Sequence, residues 1–207
     1  DKKRYIDFVN KLDIPSSKHI LLTSENQFDI EKIMSEINIP CIVKPNNGGS
    51  SIGVSKVNHI HDLENKIKIA FKECNEVLIE DFLFGKEVSV GVIQKKDKRI
   101  ILPVTEIISE NELFDYEAKY LGQSTEITPA NISNEEKNLI HKYINIIYDN
   151  IEFNGFTRSE FIIVDGIPHI LETNTIPGFT KQSIIPQQIE AHGLSVKDEI
   201  NLSLIHI

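Results

Sequence analysis

Apolar and polar positions change period several times along the chain, and each change predicts an element. "DKKRYIDFVNKL" sets Tyr5, Phe8, Val9 and Leu12 on one stripe, which predicts an opening helix. "DIEKIMSEIN" (29–38) predicts a short helix capped by Asp29, and "DLENKIKIAFKEC" (62–74) an amphipathic one with Leu63, Ile67, Ala70, Phe71 and Cys74 on its apolar face. The longest helical pattern runs over 134–150, apolar at Leu139, Ile140, Tyr143, Ile144 and Ile147. Ser195 with Asp198 three positions on marks the start of a closing helix. Between these lie strand patterns: a short buried run at 41–44, an alternating partner at 52–57, and further strands at 77–83, 87–94 and 99–108. "KKDK" suits a hairpin turn between the last two, and "TRSEFIIV" and "PHILETN" flank "DGI" as a second hairpin. Residues 109–132 read as irregular. Strands and helices mixed in this way predict an α+β fold with mainly antiparallel sheets.

Composition narrows the class without changing the picture. The chain has 207 residues, 40% hydrophobic and 26% charged, enough for one large domain or two lobes with a real core. No apolar run approaches the roughly 20 residues that span a bilayer. Two cysteines, Cys41 and Cys74, are too few for a disulfide framework, so a cytoplasmic location is expected. A net charge of −9 argues against nucleic acid or an anionic membrane as partner, so an anionic ligand must be met by local cations. Both terminal patterns break off like cut ends, and the final "LSLIHI" reads as translated sequencing-adapter sequence.

Candidate chemistry begins at "KPNNGGSSIGV" (44–54). A lysine at the end of a strand precedes the glycines, whereas the usual phosphate loop places it after them. Bare glycines still let backbone N–H groups approach phosphate oxygens, and Ser50 and Ser51 add hydroxyls. A plain surface turn has the same composition. In the second hairpin, Arg158 and Glu160 share one strand face, as do Glu172 and Asn174. A three-residue loop at 165–167 would set Glu160 opposite Glu172 and Arg158 opposite Asn174; a two-residue turn would separate them unless a bulge restored the register. Facing one another, these side chains make a hard-oxygen set suited to Mg²⁺; apart, they are a solvated polar face. Gly178, in the Pro177–Gly178 turn, offers a backbone N–H to an oxyanion. "FDYEAKY" places Lys119 and Tyr120 in the irregular segment, either a mobile active-site loop or a half-buried aromatic one. The histidines of "HIH" (59–61) have no third ligand and read as surface, and His169 and His192 as structural or exposed.

Taken together, "CIVKPNNGGSSIGVSKV", "VLIEDFLFGKEVSVGV", "FDYEAKY", "RSEF" and "ETNTIPGFTKQSIIP", with Asp1-Lys2 at the start, resemble the ATP-grasp superfamily, and within it the D-alanine–D-alanine ligases. The resemblance implies two α+β lobes gripping ATP, a nucleotide-covering lobe at 1–79 and a catalytic lobe at 80–207. It implies that Lys2 and Lys44 hold the ATP phosphates, with Ser50, Ser51 and Gly53 in the loop above them. Glu80, Asp81, Phe82 and Leu83 would line the adenine slot, and Glu87 would bind the ribose. Lys119 would touch the transferring phosphoryl group, and Tyr120 would help close the site. Arg158 and the Gly178 N–H would stabilise the oxyanion. Glu160, Glu172 and Asn174 would hold two Mg²⁺, or Mn²⁺, and Ser183 and Ile184 would take the carboxylate of the second substrate.

The implied reaction joins two D-alanines for peptidoglycan through an acylphosphate. Oxide does not leave a carboxylate, and phosphorylation supplies a leaving group. The resemblance also implies a cytoplasmic enzyme of small-molecule substrates, homodimeric at full length, whose N-terminal domain binds the first D-alanine and is missing here. Alternatives are a ligase with D-lactate or D-serine as acceptor, or a catalytically silent ATP-binding module. Two departures stand out: Glu160 occupies a position where the family usually has Asp, and Ile6 replaces a common lysine.

Overall fold

The computed structural model describes residues 1–25, 27–49, 51–95, 98–109 and 124–199. Ser50, Lys119, Tyr120, the middle of "KKDK" and the "LSLIHI" tail lie outside them. The described residues form two compact units. One holds Asp1–Lys11 and Ser16–Phe84; the other holds Leu12–Pro15, Gly85–Ile108 and the chain from Thr125 onward.

The first unit contains α1 (Lys2–Asn10), β1 (His19–Leu22), α2 (Ile30–Glu36), β2 (Cys41–Pro45), β3 (Ser55–Val57), α3 (Ile60–Phe71) and β4 (Val77–Asp81). Asp1 caps α1 by accepting from the Arg4 N–H, and Asp29 caps α2 by accepting from Glu31 and Lys32. On α1, Ile6 and Val9 are fully buried, while Tyr5, Phe8 and Leu12 are half-buried, so the core-facing stripe is rotated from the one expected. Ile6, the departure from the family lysine, is thus a core residue. The strands form an antiparallel sheet in the order β1-β4-β2-β3. Cys41, Val43, Val57, Val77 and Ile79 point from one face into a core with Ile33, Ile37, Leu63, Ile67 and Ala70 of the helices. By the period of two, Ile42, Lys44, Leu78 and Glu80 share the other face. β3 is shorter than the pattern at 52–57 predicts, because Ser51 and Gly53 have φ of +57° and +73° and cannot continue a strand.

The second unit contains β5 (Lys86–Lys95), β6 (Lys98–Ile101), β7 (Thr105–Ser109), β8 (Ser124–Ile127), α4 (Asn134–Asn150), β9 (Gly155–Val164), β10 (Ile167–Asn174) and α5 (Ile184–Ala191). Its sheet runs β10-β9-β5-β7-β8, with β6 also paired to β5. The pattern at 99–108 splits into β6 and β7 around Pro103, which has no N–H for a ladder. β8 is a strand within the segment expected to be irregular. α4 starts on a capping box of Ser133 and Glu136 and buries Ile140, Tyr143, Ile144, Ile147 and Tyr148.

α5 lies over β5. Ile185 and Ile189 pack with Ile93 and Leu102, and the buried Gln188 amide accepts from the Gly91 N–H and donates to the Ser89 carbonyl and Thr105 Oγ1, each at 2.9 Å. A Cβ on Gly91 would sit 2.4 Å from Ile185 Cδ1 and 2.5 Å from Gln188 Oε1. Gly91→Ala is therefore expected to lower stability by about 1–3 kcal/mol through overpacking. Urea unfolding checks this, and an unchanged midpoint would mean that α5 does not press on β5.

Candidate active site

The first candidate cluster grows from the end of β2. Lys44 lies opposite Leu78, and Glu80 opposite Ile42, so the two charged side chains are diagonal neighbours on one face. Lys44 Nζ is 2.7 Å from Glu80 Oε2, with side-chain exposures of 13% and 5%. The other carboxylate oxygen, Glu80 Oε1, is buried and has no hydrogen-bond partner among the described residues. Asp81 is differently engaged: its carboxylate accepts from the Asn38 N–H at 2.7 Å. Phe82 lies under Lys56 Nζ at 4.1 Å from the ring centroid and meets Phe84 edge-on.

Beyond β2, Asn46 acts as a strut. It is 1% exposed, and its side chain accepts from the Lys3 N–H and donates to Asp1 and Glu76. Its backbone carbonyl accepts from the Lys2 N–H at 3.0 Å. The start of α1 is thereby held against the glycine loop, where Lys2 Nζ donates to the Gly48 carbonyl at 3.0 Å. The loop then turns back on β2. Val54 N–H bonds to the Ser51 carbonyl, and a Cβ on Gly53 would sit 2.9 Å from Pro45 Cγ. With a positive φ as well, Gly53 is required there by two independent constraints. Within this unit, then, Lys2, Lys44, Ser51 and Gly53 gather at the end of β2 and its loop, Glu80 reaches Lys44 from β4, and Asp81 and Phe82 lie toward the other end of β2, opposite Cys41 and bonded to the Pro40 carbonyl respectively.

The second cluster lies on β9 and β10. Asp165 and Gly166, with φ of +49° and +80°, make a two-residue turn, so Val164 opposes Ile167. That turn alone would send the functional pairs to opposite faces. A bulge between Ile170 and Glu172 adds one residue and restores the register: Glu172 opposes Glu160, and Asn174 opposes Arg158. Arg158 Nη2 donates to Glu160 Oε1 at 2.6 Å, and Arg158 Nε is buried without a partner among the described residues. On the neighbouring strand, Gly91 opposes Arg158, Ser89 opposes Glu160 and Glu87 opposes Ile162, so Glu87 shares this face. No group of three His, Cys, Asp or Glu side chains able to hold a metal occurs among the described residues; this set is two glutamates and an amide.

From Asn174 the chain folds on itself. Asn174 Oδ1 accepts from the Ile176 N–H at 3.0 Å. The Ser183 hydroxyl accepts from the Thr180 N–H at 3.1 Å and pairs with the Thr180 hydroxyl at 3.0 Å. A Cβ on Gly178 would be 3.0 Å from Ser183 Oγ, which brings Gly178 and Ser183 together. With its hydroxyl so engaged, Ser183 makes no side-chain cap bond to α5. Gln187 Nε2 in the first turn of α5 donates to the Gln182 carbonyl at 3.1 Å and to Glu126 Oε2 on β8 at 2.7 Å. Burial pushes the Glu126 carboxyl up, against the opposing pull of the Gln187 hydrogen bond and the Arg158 charge. Sequence reading missed Asn46, Glu126, Gln187 and Gln188. Their partners lie tens of residues away, and no local period marks them.

Residues 8–205 match the family described as D-ala D-ala ligase C-terminus. The chain belongs to that family. The matched span holds every candidate site residue except Lys2. Over 188 residues the chain is 48% identical to the D-alanine–D-alanine ligase of Flavobacterium psychrophilum, covering 91% of this chain and 57% of that protein. It spans less than two thirds of the length of the curated relatives it first matches. Among solved structures it is similar to the VanG D-Ala:D-Ser ligase of Enterococcus faecalis, with a TM-score of 0.86 and 29% identity over 99% of this chain and 60% of that one. The D-alanine–D-alanine ligase of Bacillus anthracis gives a TM-score of 0.85 and 28% identity over 100% of this chain and 66% of that one. The expected α+β, ATP-grasp fold is the one found.

The Lys44–Glu80 pair yields a stability test. Removing one partner of a buried ion pair leaves the other charge unpaired, at a cost of about 3–5 kcal/mol. Glu80→Ala is expected to lose about that much in urea unfolding, and adding Lys44→Met to it should recover most of the loss. A double variant no more stable than Glu80→Ala would mean that the unpaired cation is not the cause.

Proposed function

We propose that this chain is the ATP-binding and catalytic part of a ligase that joins two D-alanines through an acylphosphate for peptidoglycan synthesis in the cytoplasm. The observation that carries the reading is the register of β9 and β10, which sets Arg158, Glu160, Glu172 and Asn174 side by side on one sheet face. Family membership and 48% identity to a curated D-alanine–D-alanine ligase support it.

In this reading the first unit covers the nucleotide and the second carries the chemistry. Lys2 and Lys44 neutralise the ATP phosphates, and the loop at Ser50, Ser51 and Gly53 closes over them to exclude water from a hydrolysable acylphosphate. The buried, unpaired Glu80 Oε1 is an acceptor suited to the adenine amino group, in a slot completed by Asp81, Phe82 and Leu83. Glu87 takes the ribose hydroxyls. Lys119 and Tyr120 serve the phosphoryl group and the closure of the site. Glu160, Glu172 and Asn174 present hard oxygens that fit Mg²⁺, or Mn²⁺, which supplies charge neutralisation during phosphoryl transfer.

The carboxylate oxygen of the first D-alanine bonds to the γ-phosphorus, and ADP leaves. The amine of the second D-alanine then attacks the acyl carbon. A C–N bond forms, the amine gives up a proton, and inorganic phosphate departs. Arg158 and the Gly178 N–H meet the negative charge of the tetrahedral oxygen. Because Ser183 does not cap α5, the first N–H groups of that helix, beside Ser183 and Ile184, are suited to the acceptor carboxylate. The part carried by the longer relatives binds the first D-alanine and completes a homodimer. Similarity to a D-Ala:D-Ser ligase favours D-serine as the alternative acceptor.

Calorimetric titration with Mg-ATP is expected to show magnesium-dependent binding, weakened in Lys44→Ala by about 1.5–3 kcal/mol. In the chain extended by the N-terminal part of its relatives, Arg158→Ala should retain ATP binding and lose dipeptide formation. ATP affinity indifferent to Lys44, or turnover indifferent to Arg158, overturns these roles.

A further inference from the structure

The acceptor end of the proposed site is held by more than its own loop. The Gln187 side-chain amide has two N–H donors, and its two acceptors are on different elements: Glu126 Oε2 on β8 at 2.7 Å and the Gln182 carbonyl at 3.1 Å. Gln182 immediately precedes Ser183 and Ile184. One side chain therefore links an edge strand, the first turn of α5 and the residue before the turn assigned to the acceptor carboxylate. The neighbouring Gln188 moors the body of α5 through Thr105, whose hydroxyl pairs with Thr128 at 2.6 Å just beyond β8. Gln188 thus moors the helix body, while Gln187 ties its first turn to β8 and to the Gln182 carbonyl.

We propose that Glu126 is a positioning residue for the second substrate: through Gln187 it orients the Gln182 carbonyl and thereby the Ser183–Ile184 turn. The inference rests on the ligase reading given above. It goes beyond that reading because that reading gives Glu126 no role, and Glu126 acts through another side chain, Gln187. A carboxylate is suited to this task, since it accepts a charge-assisted hydrogen bond without offering a competing donor.

The test is steady-state kinetics on the chain extended by the N-terminal part of its relatives, with D-alanine and ATP varied separately and thermal unfolding recorded for each variant. Glu126→Ala and Gln187→Ala should each raise KM for the second D-alanine about tenfold. KM for ATP and the unfolding midpoint should stay near wild type. Glu126→Gln retains an acceptor oxygen but not the charge and should recover part of the loss in KM for the second D-alanine, and the Glu126→Ala/Gln187→Ala double variant should be no worse than either single one. An unchanged KM for the second D-alanine in Glu126→Ala, with wild-type dipeptide formation intact, overturns the positioning role alone. A rise shared equally by ATP and both D-alanines, with a lowered midpoint, also overturns it in favour of a general structural role. Absence of dipeptide formation by the wild type overturns the ligase reading and this inference with it.

Discussion

One extra residue in β10 decides whether this chain has a candidate catalytic face. Side chains alternate along a strand, so a shift of one position exchanges the two faces completely. The Asp165–Gly166 turn sets one register near its tip, and the bulge between Ile170 and Glu172 sets the other beyond it. Only in the second register do Glu172 and Asn174 face Glu160 and Arg158. The neighbouring β5 then places Gly91 against Arg158, and the lack of a side chain at Gly91 lets α5 lie over that face. The side-by-side placement of the metal-suited oxygens and the cation is the consequence of a single ladder and its bulge.

Charge follows the same economy in both units. Each candidate cluster contains one largely buried cation paired with a buried glutamate: Lys44 with Glu80 and Arg158 with Glu160. Taking an ion out of water is costly unless it is paired, so the pairs hold the cations in place without a ligand. Each pair also leaves one buried polar atom unspent, Glu80 Oε1 in the first and Arg158 Nε in the second. Such atoms are uncommon in folded proteins and mark where a polar ligand group would be welcome.

The glycine loop shows why a motif and its mechanism are separable. Gly53 is demanded by a positive φ and by the closeness of Pro45, whatever the loop covers. Asn46 then ties α1 to the loop, which brings Lys2 to Gly48. Neither observation depends on a nucleotide, yet together they set two lysines around one loop in a chain whose net charge is −9.

The elements legible in the sequence are those with a strong local signal. The 3.6-residue period defined α4, and strand patterning defined β5 and β9, because these signals act between near neighbours. Lys44, Arg158, Glu160, Glu172 and Asn174 were legible as candidates because strand spacing and motif order are local. Tertiary structure decided the rest. Turn length and bulge together chose the register, Pro103 divided one apolar run into two strands, and β8 formed through pairing with β7 rather than from its own pattern. Gln188, Asn46 and the Glu126–Gln187 link are invisible in sequence because hydrogen bonds between distant residues leave no period behind. Their partners are chosen only when the sheets and helices have packed.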